Sequence, residues 1–305
     1  MERIKFNLPY VVVFIPAYNE ENSIGDVIKK IKEIYVGGEW QDYIAETIVI
    51  DDGSKDKTVE VARRAGVKKI VSHPYNRGLG AATRTGLQTA YEMGADVAVK
   101  IDADMQNSPE EIENLVRPIL NDKADCVFGS RFLSGFKYEK PFYRKWGNNF
   151  FAWLVSTITG MKITDTATGF MAFHRRYLEI FTIIKDYNES QQLMLDSWGK
   201  HMRILEVPVK FNPRKTGSSF IKFGLKYPLN VLPAIFRMYI HFKPLRFFFS
   251  VGFFFVVLGI LSGALILAGS SYMILGSAGS ATLIIVGFQI IIFGFLADQI
   301  SYKRK

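Results

Sequence analysis

The stretch Val99-Lys100-Ile101-Asp102-Ala103-Asp104-Met105-Gln106 reads as the end of a buried strand that runs out into two carboxylates and an amide. In an extended segment residues two apart project to the same side, so Asp102, Asp104 and Gln106 can converge on one point. Oxygen ligands at that spacing suit Mg2+ or Mn2+. A cation held there would neutralise the charge that develops when a nucleoside diphosphate leaves. Read alone, the same residues are equally a polar loop after a strand, because Asp-x-Asp is short and common. The surroundings must decide.

Residues that meet at one point need elements to deliver them. Apolar runs at residues 10–15, 46–50, 67–72, 96–101 and 125–129 read as strands. Between them lie helical stretches at 22–35 and 59–65, a helix opened by Asn76-Arg77-Gly78-Leu79-Gly80, and one begun by Ser108-Pro109-Glu110-Glu111. That last start has a cap residue, a proline at the first position and acids in the first turn. The alternation predicts an α/β fold, a mostly parallel sheet with helices on both faces. Ligands of such sheets bind outside the carboxyl ends of the strands. Three strands end there in polar clusters: Tyr18 and Glu20, Asp51 and Asp52, and Asp102, Asp104 and Gln106. Gly78-Leu79-Gly80 before a helix raises dinucleotide binding, but Thr83 stands where the third glycine of that fingerprint is needed.

Among 305 residues the net charge is +9, which points to an anionic partner: nucleic acid, a membrane surface or a phosphorylated substrate. A single cysteine, Cys126, and four scattered histidines indicate neither a zinc site nor a redox pair. Residues 1–9 lack the apolar core of a signal peptide, so the segment that follows is expected in the cytoplasm. No charged residue occurs between Arg246 and Asp298. Residues 247–268 and 275–297 are each about 22 residues, enough to span a hydrocarbon core of about 30 Å, and read as a transmembrane hairpin. Lys243 and Arg246 before it and Lys303, Arg304 and Lys305 after it predict a multi-pass protein of the cell membrane with both ends, and the catalytic candidate, on the cytoplasmic face.

Three further segments carry charge. Residues 132–161 interleave aromatics with Lys137, Lys140, Arg144 and Lys145, a pattern that fits lipid headgroups as well as single-stranded nucleic acid; the hairpin favours the membrane. The loop Asn212-Pro213-Arg214-Lys215-Thr216-Gly217-Ser218-Ser219 is basic and suited to phosphate oxygens. Residues 220–242 mix cations with apolar residues and read as short amphipathic helices in the headgroup layer. The expected division is therefore a cytoplasmic domain at 1–219, juxtamembrane helices at 220–245 and the hairpin at 246–300.

Taken in order, Ile15-Pro16-Ala17-Tyr18-Asn19-Glu20, Ile50-Asp51-Asp52-Gly53-Ser54, Asn76-Arg77-Gly78-Leu79-Gly80, Asp102-Ala103-Asp104-Met105-Gln106, Gly129-Ser130-Arg131 and Glu206-Val207-Pro208-Val209 resemble the signatures of family-2 inverting glycosyltransferases. Asp-Ala-Asp-x-Gln with a membrane hairpin is similar to the dolichyl-phosphate mannose synthase and polyprenyl-phosphate glycosyltransferase branch. The resemblance implies a GT-A, Rossmann-like fold, a nucleotide-sugar donor, a divalent cation (Mg2+ or Mn2+) and no nucleic-acid partner. It implies that Pro16, Tyr18, Glu20, Ile50 and Asp52 hold the nucleoside. Asp102 and Ala103 would lie along the ribose and diphosphate, and Asp104 with Gln106 would bind the metal. Asp104 and Arg131 are the expected catalytic residues, Arg131 through a donor or acceptor phosphate. Arg214 and Lys222 fall in the loop that closes over the diphosphate in the family.

Two departures stand out. Thr216 precedes Gly217 where relatives commonly have a basic residue, and Ser218-Ser219-Phe220 follows where they have Glu-Ser-Lys. Gln192 stands where relatives often carry the glutamate that serves as general base, leaving Asp165 or Asp196 as substitutes. An already ionised phosphate acceptor needs no base. The expected reaction is transfer of mannose or glucose from GDP-mannose or UDP-glucose to a polyprenyl or dolichyl phosphate in the bilayer. A polysaccharide-type transferase acting on a sugar hydroxyl and a silent nucleotide-sugar binding protein are the rivals.

Overall fold

The computed structural model describes residues 8–36, 42–133, 142–186, 189–212, 242–268 and 276–302, together with positions 233, 236, 237, 239 and 240. The chain divides into two compact units, Met1–Val231 and Leu232–Lys305.

The first unit is built on seven strands: β1 (Tyr10–Ala17), β2 (Ile44–Asp51), β3 (Lys69–Ser72), β4 (Val97–Lys100), β5 (Cys126–Ser130), β6 (Met171–His174) and β7 (Ile204–Pro208). They form one sheet in the order β3-β2-β1-β4-β6-β5-β7. The β1–β2, β1–β4, β2–β3 and β5–β7 pairs are parallel, and β6 runs antiparallel to both β4 and β5. The expectation of a mostly parallel α/β sheet holds. The reversed β6 has a useful consequence: its entry, residues 165–170, lies at the same sheet edge as the carboxyl ends of β1, β2 and β4.

β1 is buried along nearly its whole length, as expected for a central strand with both faces covered. α1 (Ile24–Val36) turns Ile24, Val27, Ile28, Ile31 and Ile34 to the sheet at helical spacing. α4 (Ile112–Leu120) does the same with Ile112, Leu115, Val116 and Ile119. α2 (Thr58–Arg64), α3 (Leu79–Glu92), α5 (Phe142–Thr159), α6 (Arg175–Leu178) and α7 (Glu189–Gly199) complete the layers. The start at Ser108 takes another form than the sequence suggests. Pro109–Glu111 is a 3-10 turn, Ser108 makes no cap bond, and its hydroxyl accepts from Asn212 Nδ2 at 3.0 Å.

A relay of polar contacts fixes the segment entering β6. The Glu206 carboxylate on β7 accepts from the Thr164 and Asp165 backbone N–H groups at 2.9 and 3.0 Å. Asp165 then takes the Arg131 guanidinium in a two-pronged ion pair, Nε and Nη2 each at 2.6 Å from a carboxylate oxygen, and Nη2 also donates to the Ala167 carbonyl at 2.9 Å. Both partners are buried.

The second unit contains α8 (Pro244–Leu267) and α9 (Ser277–Tyr302). Two 24-residue stretches, Pro244–Leu267 and Ser277–Ile300, contain 18-residue segments with mean hydropathies of 2.5 and 2.2 and are long and apolar enough to cross a membrane. Gly252 and Gly287 let the helices touch: a Cβ at either would meet the other's carbonyl oxygen at 2.5 or 2.6 Å. Ser280 Oγ donates to Ser262 Oγ at 2.8 Å nearby. Small residues and interhelical hydroxyl bonds are the usual means of joining helices in lipid. Of the expected juxtamembrane segment, positions 233, 236, 237, 239, 240 and 242 are helical.

The Arg131–Asp165 pair yields a stability prediction. Burial raises the cost of a charge on Asp165, yet Arg131 and the backbone N–H donors hold its carboxyl below the ordinary value. A lowered native value means that the pair's contribution is complete above the unfolded carboxyl pKa, about 3.9, and is lost as pH falls from there. Asp165→Ala leaves a buried guanidinium unpaired and should cost about 3–5 kcal/mol, measured by thermal or denaturant unfolding at pH 7. The deficit relative to wild type should shrink toward pH 3.

Candidate functional site

A cleft of about 360 Å³ opens at the carboxyl edge of the sheet. β1 delivers Pro16, Tyr18 and Glu20 to its wall, β2 delivers Asp52, and β4 delivers Asp102, Ala103 and Asp104. Seven of the residues expected from sequence thus line one cavity. Residues outside those expectations also line it: Gly169 from the entry to β6, and Asp186, Glu189, Ser190 and Gln191 from in and before α7.

At the β1–β2 side the organising group is Asp52, which is 3% exposed. Its Oδ1 accepts from the Arg77 N–H at 3.0 Å and faces His73 Nδ1 at 2.7 Å, while Oδ2 accepts from the Gly78 N–H at 2.8 Å. His73 Nε2 in turn meets Thr85 Oγ1 on α3 at 2.9 Å. The glycine turn before α3 is therefore held by the chain's own carboxylate, and the Gly80 N–H donates to the Asp186 carbonyl at 3.1 Å. Two of the donors that a pyrophosphate would face at such a turn, the Gly78 and Gly80 N–H groups, are thus already satisfied. Ile50 is fully buried inside β2 and does not line the cleft.

At the β4 side the strand ends on a buried cation. Lys100 has no exposed surface, and its ammonium donates to Asp102 Oδ1 at 2.8 Å and the Gly169 carbonyl at 3.1 Å and lies 3.4 Å from Glu189 Oε1. Burial works against a charge on Lys100, but the two carboxylates outweigh it and hold its pKa above the ordinary lysine value. Burial pushes the Glu189 carboxyl up, with Lys100 opposing. Gly169 is required by close approach: a Cβ there would lie 1.8 Å from Asp102 Oδ2. Asp104 follows in a tight turn in which its Oδ1 accepts from the Gln106 N–H at 3.1 Å and Met105 adopts φ +61°.

These carboxylates suit a divalent cation in a particular way. Among the described residues no cluster of three or more His, Cys, Asp or Glu could hold a metal by itself. Magnesium is commonly bound through one or two carboxylates with the remaining sites filled by substrate phosphate oxygens and water. Asp102 and Asp104, side by side on one wall, fit that mode. The Gln106 side chain does not line the cleft; its backbone carbonyl accepts from the Asn212 N–H at 2.8 Å.

Other expected residues lie elsewhere. Arg131 is spent on Asp165 and stacks over Phe211 at 5.2 Å, outside the cleft lining. Gln192 accepts from the Ile184 and Lys185 N–H groups and donates to the Lys185 carbonyl, pinning the loop before α7. Asp196 accepts from Tyr177 Oη at 2.8 Å and from Lys200 Nζ at 2.9 Å, and burial raises its carboxyl. Neither Asp165 nor Asp196 lines the cleft. Cys126 is buried, and burial raises its thiol well above the ordinary value. Arg214 and Lys222 lie outside the described residues.

Comparison with known proteins gives the site a family. Residues 12–181 match the model for glycosyl transferase family 2, and residues 243–302 match that for the GtrB C-terminal hairpin. A UDP-N-acetylglucosamine–dolichyl-phosphate N-acetylglucosaminyltransferase of Methanococcus voltae is 31% identical over 220 residues, covering 66% of this chain and 84% of that protein. A dolichol-phosphate mannosyltransferase of Pyrococcus furiosus is 32% identical over 220 residues, covering 70% of this chain and 59% of the relative. Among solved structures, glucosyl-3-phosphoglycerate synthase from Mycobacterium tuberculosis in complex with Mn2+, uridine diphosphate and glucosyl-3-phosphoglycerate superposes with a TM-score of 0.55 at 22% identity, covering 76% of this chain and 78% of that one. That likeness supports the GT-A fold. With the family model spanning more than half of its length, the chain belongs to glycosyl transferase family 2.

Proposed function

We propose that this enzyme transfers a hexose from a nucleotide sugar to a polyprenyl or dolichyl phosphate with inversion, releasing a nucleoside diphosphate. The observation that carries this reading is the union, in one chain, of a family-2 domain with a hairpin of two membrane-length apolar helices. The names of the relatives from Methanococcus voltae and Pyrococcus furiosus, both acting on dolichyl phosphate, support it. Those two names specify different sugars, so the likeness selects no donor. UDP-N-acetylglucosamine therefore joins GDP-mannose and UDP-glucose as a candidate.

An oxygen of the acceptor phosphate attacks the anomeric carbon in line. The bond from that carbon to the β-phosphate oxygen breaks, the diphosphate leaves with the electron pair, and a single displacement inverts the centre. A monoester phosphate has a second pKa near about 6 and is substantially ionised at pH 7, so no general base is required. That agrees with Gln192 being occupied by the loop before α7, and with Asp165 and Asp196 lying away from the cleft. Tyr18 and Asp52 bound the nucleoside end. Asp102 and Asp104 would hold Mg2+ or Mn2+, a group that neutralises charge on a departing diphosphate; the Mn2+ and uridine diphosphate in the mycobacterial neighbour support the use of a divalent cation. Arg131 acts from behind, by fixing Asp165 and Ala167 beside the cleft. Arg214 and Lys222 supply cations to the diphosphate or the acceptor. The hairpin spans the membrane with its ends, and the domain, on the cytoplasmic face.

The test is transfer of label from GDP-mannose, UDP-glucose and UDP-N-acetylglucosamine to dolichyl or undecaprenyl phosphate with Mg2+ or Mn2+. One donor should yield a mild-acid-labile glycolipid, and Asp104→Ala should lower its rate about 10²- to 10³-fold. Glycan elongation, or binding without turnover, would replace this reading with one of its rivals. Gly169→Ala should reduce kcat/KM by about 10²-fold by displacing the Asp102 carboxylate, and it should also lower the unfolding midpoint, because the displacement takes a carboxylate from the buried Lys100 ammonium.

A further inference from the structure

Gln191 sits in the first turns of α7 and is 3% exposed, yet it lines the cleft. Its amide nitrogen Nε2 is buried and has no hydrogen-bond partner among the described residues. Buried donors are nearly always paired, and an unpaired one costs a full desolvation penalty. On the wall of a substrate cleft, such a donor is matched to an acceptor that arrives with a ligand. We propose that the Gln191 carboxamide donates a hydrogen bond to a hydroxyl or acetamido oxygen of the sugar being transferred, making it a specificity-determining residue of the donor site. This rests on the nucleotide-sugar reading given above.

Strand order and charge indicate which part of the donor Gln191 meets. Tyr18 and Asp52 come from β1 and β2, Asp102 and Asp104 extend from β4, and Gly169 with Glu189 and Gln191 lies beyond β4, toward β6 and α7. A donor with its nucleoside at β1–β2 and its diphosphate beside Asp102 and Asp104 extends its sugar toward Gln191. The charges at that end disfavour the alternative occupant, a phosphate. Asp102 and Glu189 share the Lys100 ammonium, and Asp186 pairs with Arg84 at 2.8 Å. The cations at this end are already matched by carboxylates, so a phosphate beyond the metal-binding pair would bring negative charge against Glu189 and Asp186. A sugar is neutral there, and its hydroxyls can both accept from Gln191 and donate to the carboxylates. A site built to pair with a hydroxyl also rejects ligands that leave its own polar group unmatched.

The experiment compares sugar nucleotide with bare nucleotide on the full-length protein in nanodiscs. Wild type, Gln191→Met and Gln191→Glu are titrated by calorimetry with UDP, GDP, UDP-glucose, UDP-N-acetylglucosamine and GDP-mannose in the presence of Mg2+. Met keeps the length of the side chain without the donor, and Glu replaces the donor with an acceptor. Both variants should bind the cognate bare diphosphate within twofold of wild type, which also reports an intact fold. They should bind the matching sugar nucleotide about 5- to 10-fold more weakly, Glu at least as poorly as Met. Equal weakening of diphosphate and sugar nucleotide, or no weakening of either, would overturn the assignment while leaving the transferase reading in place. A wild-type protein that binds none of the sugar nucleotides would overturn both.

Discussion

The site depends on one buried charge. An ammonium with no exposed surface needs opposite charge and full hydrogen bonding to remain ionised, and Lys100 finds these in Asp102, Glu189 and the Gly169 carbonyl. Those partners come from the loop after β4, the start of α7 and the entry to β6, which are far apart in sequence. Satisfying one lysine therefore draws three segments of cleft wall together. The same contact orients one of the two carboxylates proposed to hold the metal, so the cost of burying a charge is offset by the positioning of a cleft wall.

A second relay supports the first from the other side of β6. Glu206 on β7 holds the backbone of Thr164 and Asp165, Asp165 holds Arg131, and Arg131 holds the Ala167 carbonyl. Ala167 and Gly169 then form cleft wall. The motif Gly129-Ser130-Arg131 and the motif beginning at Glu206 are thus two ends of one scaffold for the segment that enters β6. A buried pair of this kind is weak evidence for added stability, but its geometry accounts for a rigid approach to the cleft. Arginine suits the position because its planar fork meets both carboxylate oxygens and a carbonyl at once.

How far the sequence foretold this differs from residue to residue. The strands were legible because both faces of a central sheet are covered, so β1 and, but for Lys100, β4 read as apolar runs. The hairpin was legible because lipid permits no polar face. Asp102, Asp104, Tyr18, Glu20 and Asp52 were legible because polar groups at the carboxyl ends of parallel strands share one edge. Lys100 was passed over although it stood in plain view as a lone cation in an apolar strand, the one local signal that it needed buried partners. Glu189 and Gln191 carried no such signal, since their proximity to β4 depends on how α7 packs. Arg131 was recognised as a functional arginine, but its fork is committed to Asp165, a pairing across 34 positions that no spacing rule encodes. The direction of β6 and the 3-10 turn at Pro109 were likewise set by tertiary context.

On the proposed reading, the division of labour between the two units follows from where the substrates are found. A nucleotide sugar is dissolved in water and must be selected by contacts, which suits a cleft lined with preset carboxylates and a buried amide. A polyprenyl phosphate is confined to a plane, and a protein confined to the same plane meets it at high effective concentration without binding its chain tightly. On the proposed reading, recognition of the acceptor reduces to its phosphate. The described cleft is then the part of the enzyme that chooses, and α8 and α9 set where that choice is made. Such a design lets relatives with similar folds act on different sugars while keeping one class of acceptor. The residues that differ in consequence are expected at the β6–α7 end of the cleft, beyond the carboxylates of β4, where a sugar ring and not a phosphate fits the charge.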